Sequence, residues 1–419
     1  MFEIQENKTV SSNIIWNTVG SLFYFGCQWL LSVAVVKFSP DYTNAGILSL
    51  AMSISGVFYV ISLFNVRNYQ VSDSDGSYTA GDYILHRAIT CALSMIVCII
   101  FVLLNSYDFM ISLSIISFMV VKIAEAFADV LHGEAQKIWR LDIAGKSYII
   151  RGLLLISVFS FTLIISENLA LSIFLMSLSN VIPLIFYDYR KIKIATPFTL
   201  KTNTAKMRSL SKICLPMVGY GICSNAVMPI SKYFLEFYHG EQTLGYYATI
   251  SSIAVLVQAF VAIIFTPFVG IFNELYRTND KRKFALLFLK IFALLVAVTS
   301  VAMLAVFTVG EFALSLIFGA EIVEYVYLLY PTVAASSLTA LVWLLGMILV
   351  VMRDSITLLS GAALGLALSI LLSLLTIPKT VYYGTNLSTI LSLSLISIIY
   401  ISRFVIYLIS KKHTCNKEG

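Results

Sequence analysis

The sequence predicts an all-α polytopic membrane protein of about twelve transmembrane helices, in two sets of six. Three observations predict it. Hydrophobic residues make up 59% of the 419 residues and charged residues only 12%, about half the charged share of an ordinary soluble domain. The apolar residues fall in runs of about 20, the length that crosses a hydrocarbon core. The basic residues collect in alternate loops, as the positive-inside rule requires.

The apolar runs are 13–36, 45–65, 85–105, 109–131, 148–166, 168–188, 209–234, 245–269, 284–308, 325–351, 355–377 and 387–410. Within lipid the backbone must satisfy its own hydrogen bonds, so each run reads as a helix. The alternating ten-residue segments of a membrane barrel do not occur. The first run is too long for a signal-peptide core and no cleavage site follows it, so it is expected to be retained.

The loops set the orientation. Residues 189–212 hold Arg190, Lys191, Lys193, Lys201, Lys206, Arg208 and Lys212 with no acid. Arg277, Lys281, Arg282 and Lys283 follow the eighth run, and Lys411, Lys412 and Lys417 end the chain. The intervening loops hold only Lys37 and Lys379. Both termini are therefore expected in the cytoplasm, with the protein in an inner membrane. The central basic segment sets topology; it also suits attraction of anionic lipid headgroups.

That segment divides the chain into an N-terminal bundle, 1–190, a linker, 191–208, and a C-terminal bundle, 209–419. A faint echo joins the halves. Asn44-Ala45-Gly46 opens the second helix and Thr243-Leu244-Gly245 the eighth. Parallel repeats of this kind are common in transporters.

Ionisable residues inside a span each need a reason. Lys122, Glu125 and Asp129 are spaced three and four residues apart, which puts them on one helix face. That stripe is either a self-compensating ion pair or part of a pathway. Lys290 lies within the ninth helix, where snorkelling and a cavity role both fit. Arg87 and Arg151 lie near helix starts, where anchoring is the default reading, and Lys232 lies near an outward end. Asn17, Gln28, Asn180, Asn225 and Gln258 either line a polar pathway or join helices by hydrogen bonds. Pro183, Pro216, Pro229, Pro267 and Pro331 can bend spans. Tyr246, Tyr247, Tyr325, Tyr327, Tyr330, Tyr382 and Tyr383 read as interfacial belts.

Soluble chemistry is missing. The chain has no phosphate-binding GxxxxGK[ST] loop, and its four histidines lack metal-ligand spacing. Six cysteines, none in CxxC spacing, read as structural thiols. No cofactor is expected, nor any nucleic-acid partner.

The run Val66-Arg67-Asn68-Tyr69-Gln70-Val71-Ser72-Asp73, with Tyr83 and Arg87, resembles the polysaccharide flippases called Wzx, or O-antigen translocases. The stretch from Lys122 through Glu125, Asp129, Gly133 and Glu134 to Gln136 continues the likeness, as do Arg140, Asp142, Gly145 and Arg151-Gly152. Leu244-Gly245-Tyr246-Tyr247-Ala248 resembles a feature of the wider superfamily of multidrug, oligosaccharidyl-lipid and polysaccharide exporters. The resemblance implies two six-helix bundles around a central cavity open to one side at a time. It implies undecaprenyl-pyrophosphate-linked oligosaccharide as substrate, flipped from the cytoplasmic to the periplasmic leaflet. Membrane lipids, a coupling proton or sodium ion, and a polysaccharide polymerase with its chain-length regulator are the implied partners.

Under this reading Lys122, Lys290, Arg67, Arg87 and Arg151 are the candidate substrate pathway, because a pyrophosphate in a low-dielectric cavity needs cations. Glu125 and Asp129 are the candidate ion-coupling pair. Two alternatives stand beside it. One is a MATE-like exporter of small organic cations. The other is an enzyme, a membrane-embedded polysaccharide polymerase or ligase.

Overall fold

The helices form where the apolar runs predict them, and each sorts its residues by face. Helix α4, Ala80–Leu104, shows the logic. Ile89, Leu93, Ile96, Ile100 and Leu103 recur every three to four residues and are exposed, whereas Arg87, Thr90, Cys91, Ser94 and Cys98 on the other face are buried. The polar face is inside and the apolar face outside, the inverse of a soluble helix. Its start is fixed by a capping box: the Thr79 hydroxyl accepts from the Asp82 N–H, and the Asp82 carboxylate accepts from the Thr79 N–H.

The computed structural model describes residues 10–73, 76–200, 204–265 and 268–410. Lys201, Pro267, Lys411, Lys412, His413, Cys415 and Lys417 lie outside the described residues. The described residues are all-helical and contain 11 apolar spans long enough to cross a membrane. One of these, Thr204–Leu256, contains Gly240 in a non-helical conformation (φ 80, ψ 173). Its two arms are the expected seventh and eighth helices, so the chain is a multi-pass membrane protein of twelve crossing segments.

The chain divides into two units, Met1–Ile222 and Cys223–Gly419. The first contains α1 (Val10–Lys37), α2 (Thr43–Leu63), the short α3 (Val66–Ser72), α4, α5 (Phe109–Lys137), α6 (Leu141–Ser166) and α7 (Leu169–Pro183). A π-helical turn, Leu184–Tyr189, joins α7 to α8, Arg190–Ala195. Helix α9, Thr204–Phe265, starts in the first unit, since Leu210, Cys214 and Val218 pack into a cluster with Phe64, Tyr83 and Val130. The divide at 222 therefore lies beyond the basic segment where the sequence suggested it. The second unit continues with α10 (Val269–Arg277), α11 (Lys281–Phe318), a 3-10 segment (Glu321–Leu328), α12 (Leu329–Val351), α13 (Ser355–Thr380) and α14 (Tyr382–Ile409). Helix α11 runs past the expected end at 308 to Phe318, taking in more than half of the stretch between the ninth and tenth apolar runs.

In the first unit α1 lies along α6 and α2 along α5. The α1–α6 crossing is glycine-dependent. A Cβ on Gly145 would come within 2.1 Å of the Trp16 carbonyl oxygen, and one on Gly20 within 2.1 Å of the Gly145 oxygen. In the second unit the buried hydroxyls of Ser231, Ser369, Ser373, Ser388 and Thr389 bond one another across helices at 2.8–3.5 Å, and Gln258 donates to Ser336. These are the interhelical bonds that lipid-embedded polar residues make.

Outside the membrane spans, Asp354 caps α13 through the Thr357 N–H and accepts from Arg403 of α14. Burial raises its carboxyl, but the Arg403 and Thr357 bonds outweigh that and hold it below the ordinary 3.8. A depressed carboxylate adds stability above its unfolded value and loses it as the pH falls through the folded one. The stability gap between wild type and Asp354→Asn should therefore narrow progressively as the pH falls below about 4, read as thermal midpoints of purified protein; a constant gap would refute the pairing. Gly145→Leu should cost about 2 kcal/mol or more by overpacking against the Trp16 backbone, and an unchanged midpoint would refute that crossing.

Candidate functional site

The polar core of the first unit starts from a chain reversal. Phe64 and Asn65 both adopt left-handed φ values, 47° and 53°, which end α2 and turn the chain into α3. Helix α3 then lies against α5. Gln70 donates to the Glu134 carboxylate at 2.7 Å and to the Val130 carbonyl at 3.0 Å. Gly133 makes room for it, since a Cβ there would lie 2.4 Å from the Gln70 side-chain oxygen. At the end of α3, Asp73 accepts from the Tyr83 hydroxyl at 2.7 Å and from the Ser77 and Tyr78 N–H groups. Burial raises the Asp73 carboxyl, but the bonds from Tyr83, Ser77 and Tyr78 together outweigh it and hold it below its ordinary value.

This docking carries Arg67 to Asp129. Arg67 Nη1 reaches Asp129 Oδ1 at 2.8 Å, and Arg87 Nη2 reaches Oδ2 at 3.0 Å. Arg87 is fully buried and also donates to the Ser62 carbonyl at 2.6 Å. One carboxylate on α5 thus ties α3 and α4 together.

One turn along α5 a cavity of about 150 Å³ opens inside the unit. Glu125, Asp129 and His132 line one wall. Tyr24 and Gln28 of α1, Tyr59 of α2, and Tyr148 and Arg151 of α6 line the others. Glu125 accepts from the Tyr24 hydroxyl at 2.6 Å and Gln28 Nε2 at 2.8 Å, and its second oxygen pairs with Lys122 Nζ at 2.9 Å. Lys122 also faces the rings of Tyr59 and Phe118, 5.4 and 5.7 Å from their centroids.

Behind the cavity lies Asp188. Proline at 183 lacks a donor N–H, and the chain beyond it relaxes into the π-helical turn that carries Asp188 inward. The fully buried carboxylate accepts from Ser147 Oγ and Arg151 Nη2, each at 2.9 Å, and contacts His132 Nε2 at 3.2 Å. Arg151 Nη1 and His132 Nδ1 make no protein hydrogen bond. Both belong to residues on the cavity wall, and the cavity is large enough to hold water.

The same joint recurs in the second unit with different chemistry. There too a short helix, α10, follows a spanning helix and precedes a capped one, α11. Phe272 of α10 packs on Phe284 at 5.0 Å, Phe288 packs on Phe404 at 4.8 Å, and Tyr276 on Tyr407 at 5.5 Å. Among the described residues rings make this joint together with Lys281, which donates to the Tyr407 and Ser410 carbonyls, and no carboxylate–cation pair joins α10 to α11. The buried ion pairs of the first unit are therefore not demanded by the architecture, and such pairs seldom add net stability over apolar packing.

The structure gathers most of the sequence candidates and separates one. Glu125, Asp129 and Arg151 line the cavity, with Lys122, Arg67 and Arg87 bonded to its carboxylates. Arg87 and Arg151, read as interfacial anchors by default, are instead 0% and 1% exposed. The stripe on α5 splits: Lys122 compensates Glu125, while Asp129 takes its partners from α3 and α4. Lys290 is exposed on α11 in the second unit and is not a wall of this cavity. Tyr24, Tyr59, His132, Tyr148 and Asp188 were not singled out from the sequence. Asp188 sits at the margin of an apolar run beside a basic segment, where an acid looks like a solvated end.

No family model matches the sequence. The capsular polysaccharide biosynthesis protein CapF of Staphylococcus aureus is 23% identical over 302 residues, covering 70% of this chain and 74% of CapF. Among solved structures, an inward-facing multidrug resistance MATE family transporter of the MOP superfamily matches with a TM-score of 0.72 at 11% identity, over 96% of this chain and 100% of that one. The lipid II flippase MurJ in an inward closed conformation matches with a TM-score of 0.71 at 11% identity, over 94% of this chain and 90% of MurJ. The chain has the fold of MOP-superfamily transporters.

Removing Asp188 strands Arg151 in the interior, so Asp188→Ala should cost about 3–5 kcal/mol. Glu125→Gln keeps the side-chain shape and one of the two acceptor oxygens, so it should cost less, about 1–3 kcal/mol for the donors left facing the amide NH2. Thermal midpoints of the two purified variants check this, and equal losses would refute the distinction between scaffold and cavity carboxylates.

Proposed function

We propose that the chain flips undecaprenyl-pyrophosphate-linked oligosaccharide from the cytoplasmic to the periplasmic leaflet by alternating access. The observation that carries this reading is the polar core of the first unit, built from paired charges at a joint that the second unit makes from aromatic rings. A buried ion network that the fold does not need is a functional site by default in a membrane protein. The likeness to CapF supports polysaccharide assembly as its setting, and the fold shared with MurJ supports a lipid-linked cargo. The protein acts as a transporter rather than an enzyme, in a bacterial inner membrane with both termini cytoplasmic.

Lys122 is the substrate-facing cation in this proposal. Paired with Glu125 it is neutralised; a proton or sodium ion on Glu125 would release its charge to a pyrophosphate. Arg67 and Arg87 keep Asp129 compensated meanwhile, and Arg151 offers its unpartnered Nη1 to the cavity. Lys290 belongs to the pathway on sequence grounds alone. A polymerase and its chain-length regulator would receive the product. A MATE-like exporter of organic cations is the second reading, favoured by the cavity's two carboxylates and three tyrosines. Its electrostatics are less suitable, since both carboxylates already have cationic partners.

Deletion of the gene should leave undecaprenyl-linked oligosaccharide on the cytoplasmic leaflet, and complementation should restore its sidedness. Lys122→Ala should lower export about tenfold, equivalent to about 1.4 kcal/mol, with normal membrane insertion. Glu125→Gln should make export insensitive to collapse of the ion gradient. Unchanged sidedness in the deletion, with drug sensitivity gained, would move the exporter reading to the front.

A further inference from the structure

The second unit carries a tyrosine cluster at the end of its helices remote from Lys281–Lys283. Three segments converge there: the arm of α9 beyond Gly240, the 3-10 segment Glu321–Leu328, and the start of α14. Tyr246 and Tyr325 stack at 4.5 Å with planes 19° apart. Tyr325 meets Tyr382 edge-on at 5.6 Å, and Tyr382 lies parallel to Tyr247 at 6.4 Å. The Tyr246 hydroxyl donates to Glu321 and the Tyr247 hydroxyl to Asn386. Tyr327 and Tyr383 flank the cluster, 54% and 69% exposed.

An interfacial belt is read from rings whose polar tips lie in the headgroup layer. These rings instead contact one another in series, and two of their hydroxyls are committed to neighbouring side chains. The result is a fixed aromatic surface whose rotamers are already ordered, so binding on it costs little conformational entropy.

Charge decides what such a surface takes. Residues 240–250 and 319–330 contain Glu241, Glu321 and Glu324 and no Lys or Arg, and residues 381–386 contain no charge. Lys379 in the last turn of α13 is the nearest cation in sequence. A phosphate or an anionic headgroup is therefore disfavoured. A quaternary ammonium ion needs an open cage of rings, whereas the Tyr246–Tyr325 stack is closed at 4.5 Å. A neutral pyranose fits both features. Its C–H face lies on the electron-rich ring face, and its rim hydroxyls donate to carboxylate or amide oxygens.

We propose that the Tyr246–Tyr325–Tyr382 cluster, with Glu321 and Glu324, is a binding platform for neutral saccharide at the non-cytoplasmic end of the second unit. It deepens the flippase reading, on which its biological role rests, by naming a surface that receives the glycan rather than the pyrophosphate.

The test uses the full chain in nanodiscs of phosphatidylglycerol, free of glycoside detergent, with chitotetraose and maltotetraose as probes. Saturation-transfer NMR should show contact with sugar C–H protons for at least one of them. Tyr325→Ala should weaken that binding about tenfold, while Tyr325→Phe retains it. Tyr383→Ala, at an exposed position that tests the surface without disturbing the stack, should weaken it less. No transfer from either saccharide in the wild type, equal transfer in Tyr325→Ala, or displacement by tetramethylammonium would overturn the platform. Sidedness of lipid-linked oligosaccharide in deletion cells reads the flippase proposal separately. Saccharide binding with unchanged sidedness would keep the platform and remove the flippase.

Discussion

An ionised side chain carried into the hydrocarbon slab has no solvent to stabilise it, so its counter-charge must come from the same bundle. The first unit is organised around this constraint. Asp129 is the centre: Arg67 arrives from α3 and Arg87 from α4, and neither could be buried without it. The remaining features of the joint follow. Left-handed residues at 64 and 65 turn the chain, Gly133 lets Gln70 close in, and Asp73 pins the far end of α3 through Tyr83. Asp188 does the same for Arg151, delivered by a π-helical turn.

The second unit is a control experiment within one chain. It repeats the order of spanning helix, short helix and capped spanning helix, but joins them with Phe272, Phe284, Phe288 and Phe404. Among the described residues those rings interlock with no carboxylate–cation pair between α10 and α11, and Lys281 beside them donates to the Tyr407 and Ser410 carbonyls. Ion pairs respond to protons or cations, because neutralising one carboxylate leaves its partner exposed to a low dielectric. A difference of chemistry on a common architecture therefore assigns rigidity to one joint and sensitivity to the other.

Much of this was legible beforehand. The twelve crossing segments followed from run length, because a hydrocarbon slab imposes a length on any helix that spans it. The run from Val66 to Asp73 and the positions from Lys122 to Arg151 are marked as one group by resemblance, and the structure brings many of them into contact. What they do was less visible. Gln70, Glu134 and Asp73 hold α3 in place, which a motif read along the chain does not distinguish from contacting a substrate. Tyr24 and Tyr59 sit in apolar runs among many tyrosines, and nothing local separates a cavity wall from a lipid-facing ring.

The sequence by itself determined that this chain lives in a membrane, how many times it crosses, and which residues could be buried only with a partner. These follow from local chemistry: apolar length, basic loops and the cost of a charge in lipid. Only the tertiary structure decided the partners. Glu125 and Asp129 are a turn apart on one helix, yet one pairs with a lysine of its own helix and the other with arginines from two others. Asp188, at the margin of an apolar run, is a fully enclosed acid of the network. Pairing depends on which helices meet and at what depth, and that is a property of packing between segments distant in the chain.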